Sequence, residues 1–438
     1  MNKKFLIASL FVSAIAYGAS IDHIQTYSPD YLANQAQTGM INNVSANYNP
    51  AGLVRLENGK YIHVGLQYAF GTESMKYKGK EHEADLRQVI PNLALYSVDE
   101  KGAKFLTFGG IAGGGELEYK GVAGLNVAMD KYNTSGLKLS DKNTTIKGSN
   151  KYSQLTLGRA FNIDDKLSVS IAGRLVYGTR ELKGKIEIDS PLLANHPMKD
   201  KILTGDIDSK RTAWGYGFQL GLNYKASEKL NLAARYDSKI EMKFKAKGNE
   251  RQLQTASLIG GNIGITSFYP QYTPGTKTRR DLPAILSLGA SYKITDKWIV
   301  STAANYYFNK NAKMDRVTDA SGTKHGTDYK NGWEIALGNE YQLNDKVTLI
   351  GSINYAKTGA KANSYSDIEY AIDSTTLGTG VRYKYDETLE LTASVAHFFY
   401  NASEGTYKKR YANVPTVTEN QKYKKSITAV GISATKKF

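Results

Sequence analysis

The sequence WGYGFQLGLNY, residues 214–224, decides the fold because its side chains alternate strictly between two kinds. Every second residue is aromatic or aliphatic, namely Trp214, Tyr216, Phe218, Leu220, Leu222 and Tyr224. The residues between them are small or polar, namely Gly215, Gly217, Gln219, Gly221 and Asn223. A period of two indicates a β-strand with one apolar face. Aromatic residues at both ends of that face, with aliphatic residues between them, are typical of a strand that crosses a lipid bilayer.

The same alternation recurs along the chain and predicts fourteen strands. We place them near residues 61–70, 88–98, 104–119, 151–161, 166–180, 211–225, 229–245, 282–294, 297–309, 331–343, 346–357, 375–386, 388–400 and 425–438. Short turns alternate with long loops, and the long loops are expected at residues 71–87, 120–150, 181–210, 246–281, 310–330, 358–374 and 401–424. Transmembrane barrels combine short periplasmic turns, long outer loops and an even number of strands. We therefore predict an all-β fold, a 14-stranded antiparallel transmembrane β-barrel over residues 61–438.

The first eighteen residues have the pattern of a secretory signal peptide. A basic start, Lys3 and Lys4, precedes an apolar run over residues 5–16, and small residues follow it. This run is shorter than the roughly 20 residues that a membrane-spanning helix needs. We therefore predict a signal peptide at residues 1–18, and export to the outer membrane of a Gram-negative-type (diderm) bacterium.

The composition argues against several kinds of site. The sequence contains no cysteine and its six histidines are widely spaced, so we expect no disulfide, no metal and no cofactor. The formal net charge is +16, but the lysines and arginines are dispersed, so no nucleic-acid partner is expected. Phosphate-bearing outer-membrane lipid is one candidate for the counter-charge, and simple solubility of the loops is the other explanation.

A segment ahead of the first strand is expected to fill the barrel. About eight strands make a barrel that side chains can fill, whereas about sixteen leave a water channel, so an empty barrel of intermediate size would leak. Residues 19–60 lie next to the periplasmic end and contain a turn at Asn49, Pro50, Ala51 and Gly52. We interpret residues 19–60 as an N-terminal plug, and a disordered periplasmic tail is the alternative.

The signal peptide, the Asn49-Pro50-Ala51-Gly52-Leu53 element and the fourteen strands together resemble the FadL/TodX (OMPP1-type) family of outer-membrane transporters. The resemblance covers the whole chain in architecture, and the Asn-Pro-Ala element with the following Gly-Leu is its one sharp motif. It implies a monomeric protein that is not an enzyme. Such a protein carries long-chain fatty acids, or other hydrophobic compounds such as aromatic hydrocarbons, passively across the outer membrane.

The third predicted strand contains five glycines, Gly109, Gly110, Gly113, Gly114 and Gly115. Glycines weaken a strand and permit a bulge or a bend. In the family that the chain resembles, the third strand kinks inward and opens a lateral gap toward the membrane, and these glycines are the matching positions. The alternative is a glycine patch that merely accommodates aromatic neighbours or the plug.

Two of the predicted outer loops, 181–210 and 246–281, are unusually apolar for exposed segments. Their most apolar candidate residues are Leu192, Leu193, Leu258, Ile259 and Phe268. The resemblance implies that these two loops form a hydrophobic groove in which the substrate is first captured. Packing of the loops against each other as a lid is compatible with that function.

A fatty acid has a carboxylate, which requires a cation along the path. The candidates are Arg174, Arg235 and Arg382 on lumen-facing positions and Arg55 in the plug. Each of them could instead pair with a lumenal acid such as Asp237 or Glu340. The sequence has no phosphate-binding loop, so transport is expected to be passive, and movement of the plug turn is expected to release the ligand sideways.

Three other functions compete with hydrophobic transport. A general diffusion porin would need neither a plug nor apolar outer loops. An outer-membrane lipase would need a nucleophile beside a histidine, and His397 has Ser394 and Ser403 near it in sequence. A surface adhesin would use the long loops for contact with a partner.

Overall fold

The computed structural model describes residues 24–113, 116–133, 136, 138–197, 199–253, 264–267, 269–318, 324–367, 369–412 and 414–438. The predicted signal peptide therefore lies outside the described residues. The same holds for Gly114 and Gly115 of the glycine-rich strand, and for Leu258, Ile259 and Phe268 of the predicted capture loops.

Within the described residues, fourteen wall strands form one closed antiparallel sheet. They are β1 (Gly59–Tyr77), β2 (Lys80–Asp99), β3 (Gly102–Ala112, continued by Glu116–Lys120), β4 (Thr145–Asn162), β5 (Leu167–Asp189), β6 (Thr204–Lys225), β7 (Leu230–Asp237 and Lys243–Arg251), β8 (Lys277–Arg279 and Ile285–Thr295), β9 (Trp298–Tyr307), β10 (Gly332–Gln342), β11 (Val347–Lys357), β12 (Ser374–Lys384), β13 (Leu389–Tyr400) and β14 (Lys422–Lys437). Each strand pairs with the next, and β14 pairs with β1 from Lys76↔Lys422 to Tyr61↔Lys437. The predicted barrel is confirmed.

The outer surface of the wall carries the apolar face that the sequence predicts. In β6, all six aromatic and aliphatic residues of the opening stretch are exposed, from Trp214 to Tyr224. Gln219 and Asn223, on the opposite face of the same strand, are buried in the interior. Lipid can cover the outer face, and closure of the sheet gives the first and last strands hydrogen-bond partners in each other.

Smaller elements lie in the loops and in the interior. The helices are α1 (Pro29–Ala33), α2 (Ser45–Tyr48), α3 (Ala123–Asn133), α4 (Lys199–Leu203) and α5 (Tyr407–Arg410). Short 3-10 helices cover Pro50–Arg55, Pro191–Leu193, Ile265–Ser267, Pro270–Tyr272, Asn309–Asn311 and Ala362–Ser364, and two-residue strands cover Ser140–Asp141, Val317–Thr318, Lys324–His325 and Ser403–Glu404. None of the helices in the described part of the chain is long and apolar enough to span a membrane.

The loop predicted at residues 71–87 is wrong, because β1 and β2 continue through it. They stay in register to Tyr77↔Lys80 and are joined by Lys78 and Gly79 alone. Both residues have positive φ, 49° and 74°, as in the tight turns that match the twist of a hairpin. The sequence misled us because these strand ends lie beyond the apolar band, where an outward-facing residue is polar. Likewise, β5 and β6 extend into the predicted loop 181–210 and leave only residues 190–203 as a connection.

The N-terminal residues 24–58, here called the lumen segment, bond to the inner face of the wall, and most of their side chains are buried. Asn49 donates a hydrogen bond to Asn223 of β6, and the carbonyl of Gly39 accepts one from Ser291 of β8. On the opposite side, Gln35 bonds Ser352 of β11. Because one short segment reaches strands around the whole circumference, it must occupy the interior of the closed wall.

Asp30 of the lumen segment bridges the seam at which the barrel closes. Its carboxylate accepts hydrogen bonds from Thr392 of β13 at 3.0 Å and from Ser433 of β14 at 2.8 Å. It also lies 3.8 Å from Nε2 of His63 on β1. Pro29, at the start of α1, packs against Gly431 of β14. The lumen segment therefore holds together the first and the last two strands of the chain.

Several wall glycines face the lumen segment and let its backbone approach the wall closely. They are Gly65, Gly289, Gly338, Gly378 and Gly431. A Cβ atom at Gly378 would collide with the carbonyl oxygen of Leu32, and one at Gly338 would collide with the side chain of Asn34. These positions explain why small residues recur on the interior face of the strands.

We expect Gly378→Val to displace the lumen segment without opening the wall, because valine suits a strand but overlaps the Leu32 carbonyl. Overpacking of this kind costs about 1–3 kcal/mol. The measurement is ion conductance in planar bilayers, which should rise as the lumen empties, together with protease access to residues 24–58. Gly173→Val is the control, since a Cβ there meets no atom within 4 Å. Equal conductance of the two variants would contradict the expectation.

Candidate functional site

The pairing between β2 and β3 is interrupted near the predicted glycine-rich stretch. The strands pair from Asp99↔Gly102 to Asn92↔Gly109, and the next pair is Arg87↔Glu116. Between these points, no pair joins the two strands within the described residues. Pro91 contributes to the interruption because it has no backbone N–H to donate. The described pairing of the second and third strands is therefore interrupted over a few residues, and this interruption is called here the opening.

The glycines of β3 occupy different places at this opening. Gly109 still pairs with Asn92 and with Gln154, and Gly110 pairs with Ser153 of β4 only. The register against β4 then shifts before Ala112. Gly113 has φ of +115°, and a Cβ on it would collide with the carbonyl oxygen of Asn150. Gly113 thus takes a backbone conformation at the bend that side chains disfavour.

A cavity of about 70 Å³ lies directly behind the opening. Its lining is mostly apolar and comprises Tyr27, Leu32, Ala69, Leu86, Ile90, Gly113, Phe398, Tyr400, Ile427 and Ala429, with Gln67, Glu73 and Gln88 as polar members. Gln67 is buried, and neither atom of its amide has a hydrogen-bond partner among the described residues. An apolar cavity with an unpaired amide is suited to a ligand that has an apolar body and a polar group.

Three buried arginines surround a single carboxylate next to the same opening. Arg180 and Arg280 approach Glu369 at 2.8 and 3.3 Å. Arg180 also donates to Asn150, the residue whose carbonyl oxygen faces Gly113. Burial raises the pKa of Glu369, but the two arginines outweigh it and hold that pKa below its usual value.

Arg211 is the member of this arginine cluster that lacks an acid. It is 2% exposed, its guanidinium lies 5.1 Å from the centre of the Tyr272 ring, and it donates to Thr278. Among the described residues it forms no ion pair, and its Nε atom has no hydrogen-bond partner. A buried cation without an anion is costly, so the cluster as a whole favours an added negative charge.

The four arginines proposed from the sequence are already engaged with the protein. Arg174 and Arg235 lie 3.7 and 3.0 Å from Asp237, and Arg382 lies 2.6 Å from Glu340. These are the two lumenal acids named as alternatives. The fourth arginine, Arg55, is half-buried and donates to the backbone carbonyl of the periplasmic turn residue Asp164, at 3.4 Å.

The residues of the Asn-Pro-Ala-Gly turn lie together at the periplasmic end of the lumen. Asn49 accepts a hydrogen bond from the N–H of Gly52 at 3.2 Å, so it caps the 3-10 helix that Pro50 begins. The carbonyl oxygen of Ala51 accepts a hydrogen bond from Ser168 of β5 at 2.7 Å. The turn is therefore tied to the wall through its amide and its backbone.

The two apolar outer loops pack against each other above the lumen. Leu193 is buried and joins one apolar cluster with Ile186, Ile188, Ile202, Leu203, Leu253, Ile265, Tyr269 and Tyr272. Leu192, in contrast, is 62% exposed. The described part of these loops thus forms a lid, and Leu192 is the apolar side chain that it presents to the outside.

Asp367 joins four outer loops at one buried carboxylate. It accepts hydrogen bonds from the N–H of Gly124 at 3.0 Å, from the Tyr269 hydroxyl at 3.4 Å and from the Tyr407 hydroxyl. Gly124 belongs to the first turn of α3, where a carboxylate is favoured. Burial raises the pKa of Asp367, although the bonds from Tyr407 and Gly124 act against that shift.

Sequence reasoning missed the arginine cluster and Asp367. Arg180 and Arg211 lie on strands close to the edge of the predicted loop 181–210, and Arg280 and Asp367 fall inside other predicted loops. One signal was available. If the alternation of β5 and β6 is continued beyond the apolar band, Arg180 and Arg211 fall at interior-facing positions.

Known proteins resemble this chain over most of its length. A family model described as outer membrane protein transport protein (OMPP1/FadL/TodX) matches residues 30–438. The 47 kDa outer membrane protein of Pasteurella multocida is 26% identical over 45% of this chain and 46% of its own length. The long-chain fatty acid transport protein of Escherichia coli is 20% identical over 56% of this chain and 58% of its own. The chain spans about half the length of the curated relatives it matches.

One solved structure with the same fold is that of the Pseudomonas putida toluene transporter TodX. It superimposes with a TM-score of 0.66, covering 95% of this chain and 99% of TodX at 16% identity. At this identity the comparison supports the fold alone.

We expect the lid to open less readily as the pH falls from neutral toward about 4, the ordinary pKa of aspartate. Because the pKa of Asp367 is raised in the closed lid, its carboxylate binds a proton more tightly there than in the open lid. The stability contributed by Asp367 is therefore lost as the pH rises through its raised pKa. Limited proteolysis of the outer loops in detergent measures the opening.

The variant Asp367→Asn should remove most of this pH dependence, since its amide is neutral at every pH. Asp328→Asn is the control, because that carboxylate is half-exposed and pairs with Lys361 in a neighbouring loop. If Asp367→Asn follows the wild-type pH profile, another group controls the opening.

Proposed function

Because this chain belongs to the OMPP1/FadL/TodX family of outer membrane transport proteins, we propose that it carries hydrophobic compounds passively across the outer membrane and releases them sideways into the bilayer. The observation that supports this proposal most directly is the apolar cavity behind the opening between β2 and β3. A ligand leaving that cavity through the opening reaches lipid without passing through water. One chain encloses the whole path, so a monomer is sufficient.

The lid is the proposed entry. An apolar ligand gains about 0.8 kcal/mol for each buried methylene group, so a sixteen-carbon chain gains up to roughly 12 kcal/mol before ordering costs. The apolar cluster of the two outer loops offers such a surface, with Leu192 exposed at its edge. Binding of this strength requires a movable part for release. We assign that function to the lumen segment, whose turn at Asn49 and Gly52 is held by a few hydrogen bonds.

The arginine cluster supports a ligand with a carboxylate. Among the described residues Arg211 forms no ion pair and its Nε atom has no hydrogen-bond partner, and the cluster lies on the β4 side of Gly113, beside the opening. A long-chain fatty acid combines an apolar chain with one negative charge, and it is therefore the substrate class that we propose. The printed name of one relative, long-chain fatty acid transport protein, agrees with this class. A neutral hydrocarbon such as toluene would use the apolar surfaces alone.

The competing functions fit the site less well. A general diffusion porin needs an open water channel, whereas here the lumen segment bonds to strands on all sides. A lipase needs a serine activated by a histidine, but His397 bonds Thr428 at 2.8 Å, and no bond joins it to Ser394 or Ser403 among the described residues. Adhesion through the outer loops stays a hypothesis.

A reversible cross-link across the opening should block uptake. The side chain of Ile90 lies 3.5 Å from where a Cβ of Gly110 would be. The double variant Ile90→Cys with Gly110→Cys can therefore form a disulfide that joins β2 to β3. The chain has no cysteine of its own, so this disulfide is the only one that can form. Uptake of a labelled fatty acid by cells should fall to near background when the pair is oxidised, and reductant should restore it.

The matched control places a disulfide between the same two strands where they are already paired. Leu95 and Leu106 are opposite each other in β2 and β3, and Leu95→Cys with Leu106→Cys should leave uptake unchanged in both redox states. Unchanged uptake by the oxidised Ile90–Gly110 pair would rule out the sideways exit.

The variant Arg211→Gln should weaken binding of a fatty acid by about tenfold, the equivalent of one charge-assisted hydrogen bond of about 1.5 kcal/mol. It should leave binding of an uncharged hydrocarbon of the same length unchanged, because that ligand has no carboxylate. Affinities of the purified protein in detergent measure both. Arg251→Gln is the control, since Arg251 is exposed and pairs with Asp206. A loss that is equal for both ligands would mean that Arg211 only maintains the fold.

A further inference from the structure

A cluster of exposed lysines lies on the outside of the wall, away from the transport path. It consists of Lys245 and Lys247 on the upper part of β7 and Lys277 on the upper part of β8, and it is called here the outer lysine cluster. All three side chains are exposed, while Ala246 between Lys245 and Lys247, and Phe244 just before them, are buried in the interior. The lysines therefore point outward from the barrel.

The pairing of the strands places cations directly opposite each other. Lys245 is opposite Lys277, and Lys247 is opposite Lys210 of β6. Like charges at opposite positions of an antiparallel pair are destabilising. Such an arrangement is favourable when an anion binds between the strands.

Few acids of the protein neutralise this surface. Lys210 pairs with Glu181 at 2.7 Å, and the flanking cations Lys243 and Arg279 share Glu241. Among the described residues, no acid lies within ion-pair distance of Lys245, Lys247 or Lys277. The outer lysine cluster thus presents three unneutralised charges on two adjacent strands.

The depth of the cluster matches the headgroups of the outer leaflet. Lys245 is opposite Thr212, which lies two residues beyond Trp214 on β6. The Trp214 ring lies 4.6 Å from the Tyr177 ring, tilted by 39°, at the outer end of the apolar face, where aromatic residues mark the membrane interface. Two residues of a strand span about 7 Å, so Lys245 lies just outside the hydrocarbon core of the membrane.

We propose that the outer lysine cluster binds the phosphate groups of a phosphorylated lipid of the outer leaflet. Lysine is a compact point charge that binds phosphate well, and one phosphate can bridge lysines on two strands. The cluster faces sideways at headgroup depth, so a membrane lipid reaches it with its acyl chains along the apolar wall below. This binding is independent of the transport proposal, since the lysines contact neither the cavity nor the opening.

The test uses the full-length protein in detergent and measures binding of purified lipopolysaccharide with intact phosphates. The triple variant Lys245→Gln, Lys247→Gln, Lys277→Gln should bind about a hundredfold more weakly, at about 1 kcal/mol for each lysine near an anionic surface. The triple variant with arginine at the same positions should retain binding. Binding by the wild type should weaken with added salt.

The matched control removes the same charge from the opposite rim. Lys166, Lys229 and Lys346 are exposed in the periplasmic turns, and their replacement by glutamine should leave binding unchanged. Two probes identify the ligand: the same lipid with its phosphates removed should not bind, and inorganic phosphate should not compete at equal concentration. Three results would each overturn the proposal. The glutamine triple variant could bind as tightly as the wild type, the dephosphorylated lipid could bind as tightly as the intact lipid, or inorganic phosphate could compete fully.

Discussion

The structure depends on one constraint: backbone N–H and C=O groups inside the bilayer must find partners within the protein. Closure of the sheet between β1 and β14 meets this demand around the whole wall. The interruption between β2 and β3 is tolerated at a restricted place. Pro91 has no N–H to leave without a partner there, and β3 keeps its pairing with β4 on the other side of the bend. The opening is therefore a local interruption in a wall whose described strands each pair with the next.

The interior is filled in two different ways above and below this opening. Below it, the lumen segment contributes polar side chains and backbone carbonyls that bond to the wall, and interior glycines allow the close approach. Above it, apolar residues of the outer loops form the lid, and the buried charged groups there include the arginine cluster, Asp367 and the Glu73–Lys425 ion pair. The cavity is lined by Tyr27 and Leu32 of the lumen segment together with residues of the wall.

The alternation of side chains was sufficient to predict the number and order of the strands, because a lipid-facing residue at every second position is a physical requirement. It failed at residues 71–87 because the outward-facing side chains of a strand beyond the bilayer are polar, so the apolar face that marks a strand in lipid is missing. Parity also identified Arg174, Arg235 and Arg382 as interior, but only the register showed that Asp237 and Glu340 neutralise them. Continued parity could have placed Arg211 on the interior face, but Asp367 could not be found, since its burial depends on how separate loops fold over the lumen.

The contacts of Asp30 and Pro29 at the seam have a consequence for the order of assembly. Strands β1, β13 and β14 are joined partly through the lumen segment, which comes first in the chain, while β13 and β14 come last. These contacts can form only after β13 and β14 have been synthesised, so the earliest part of the lumen segment finds its partners in the latest part of the chain. Completion of the seam therefore joins the two ends of the described chain.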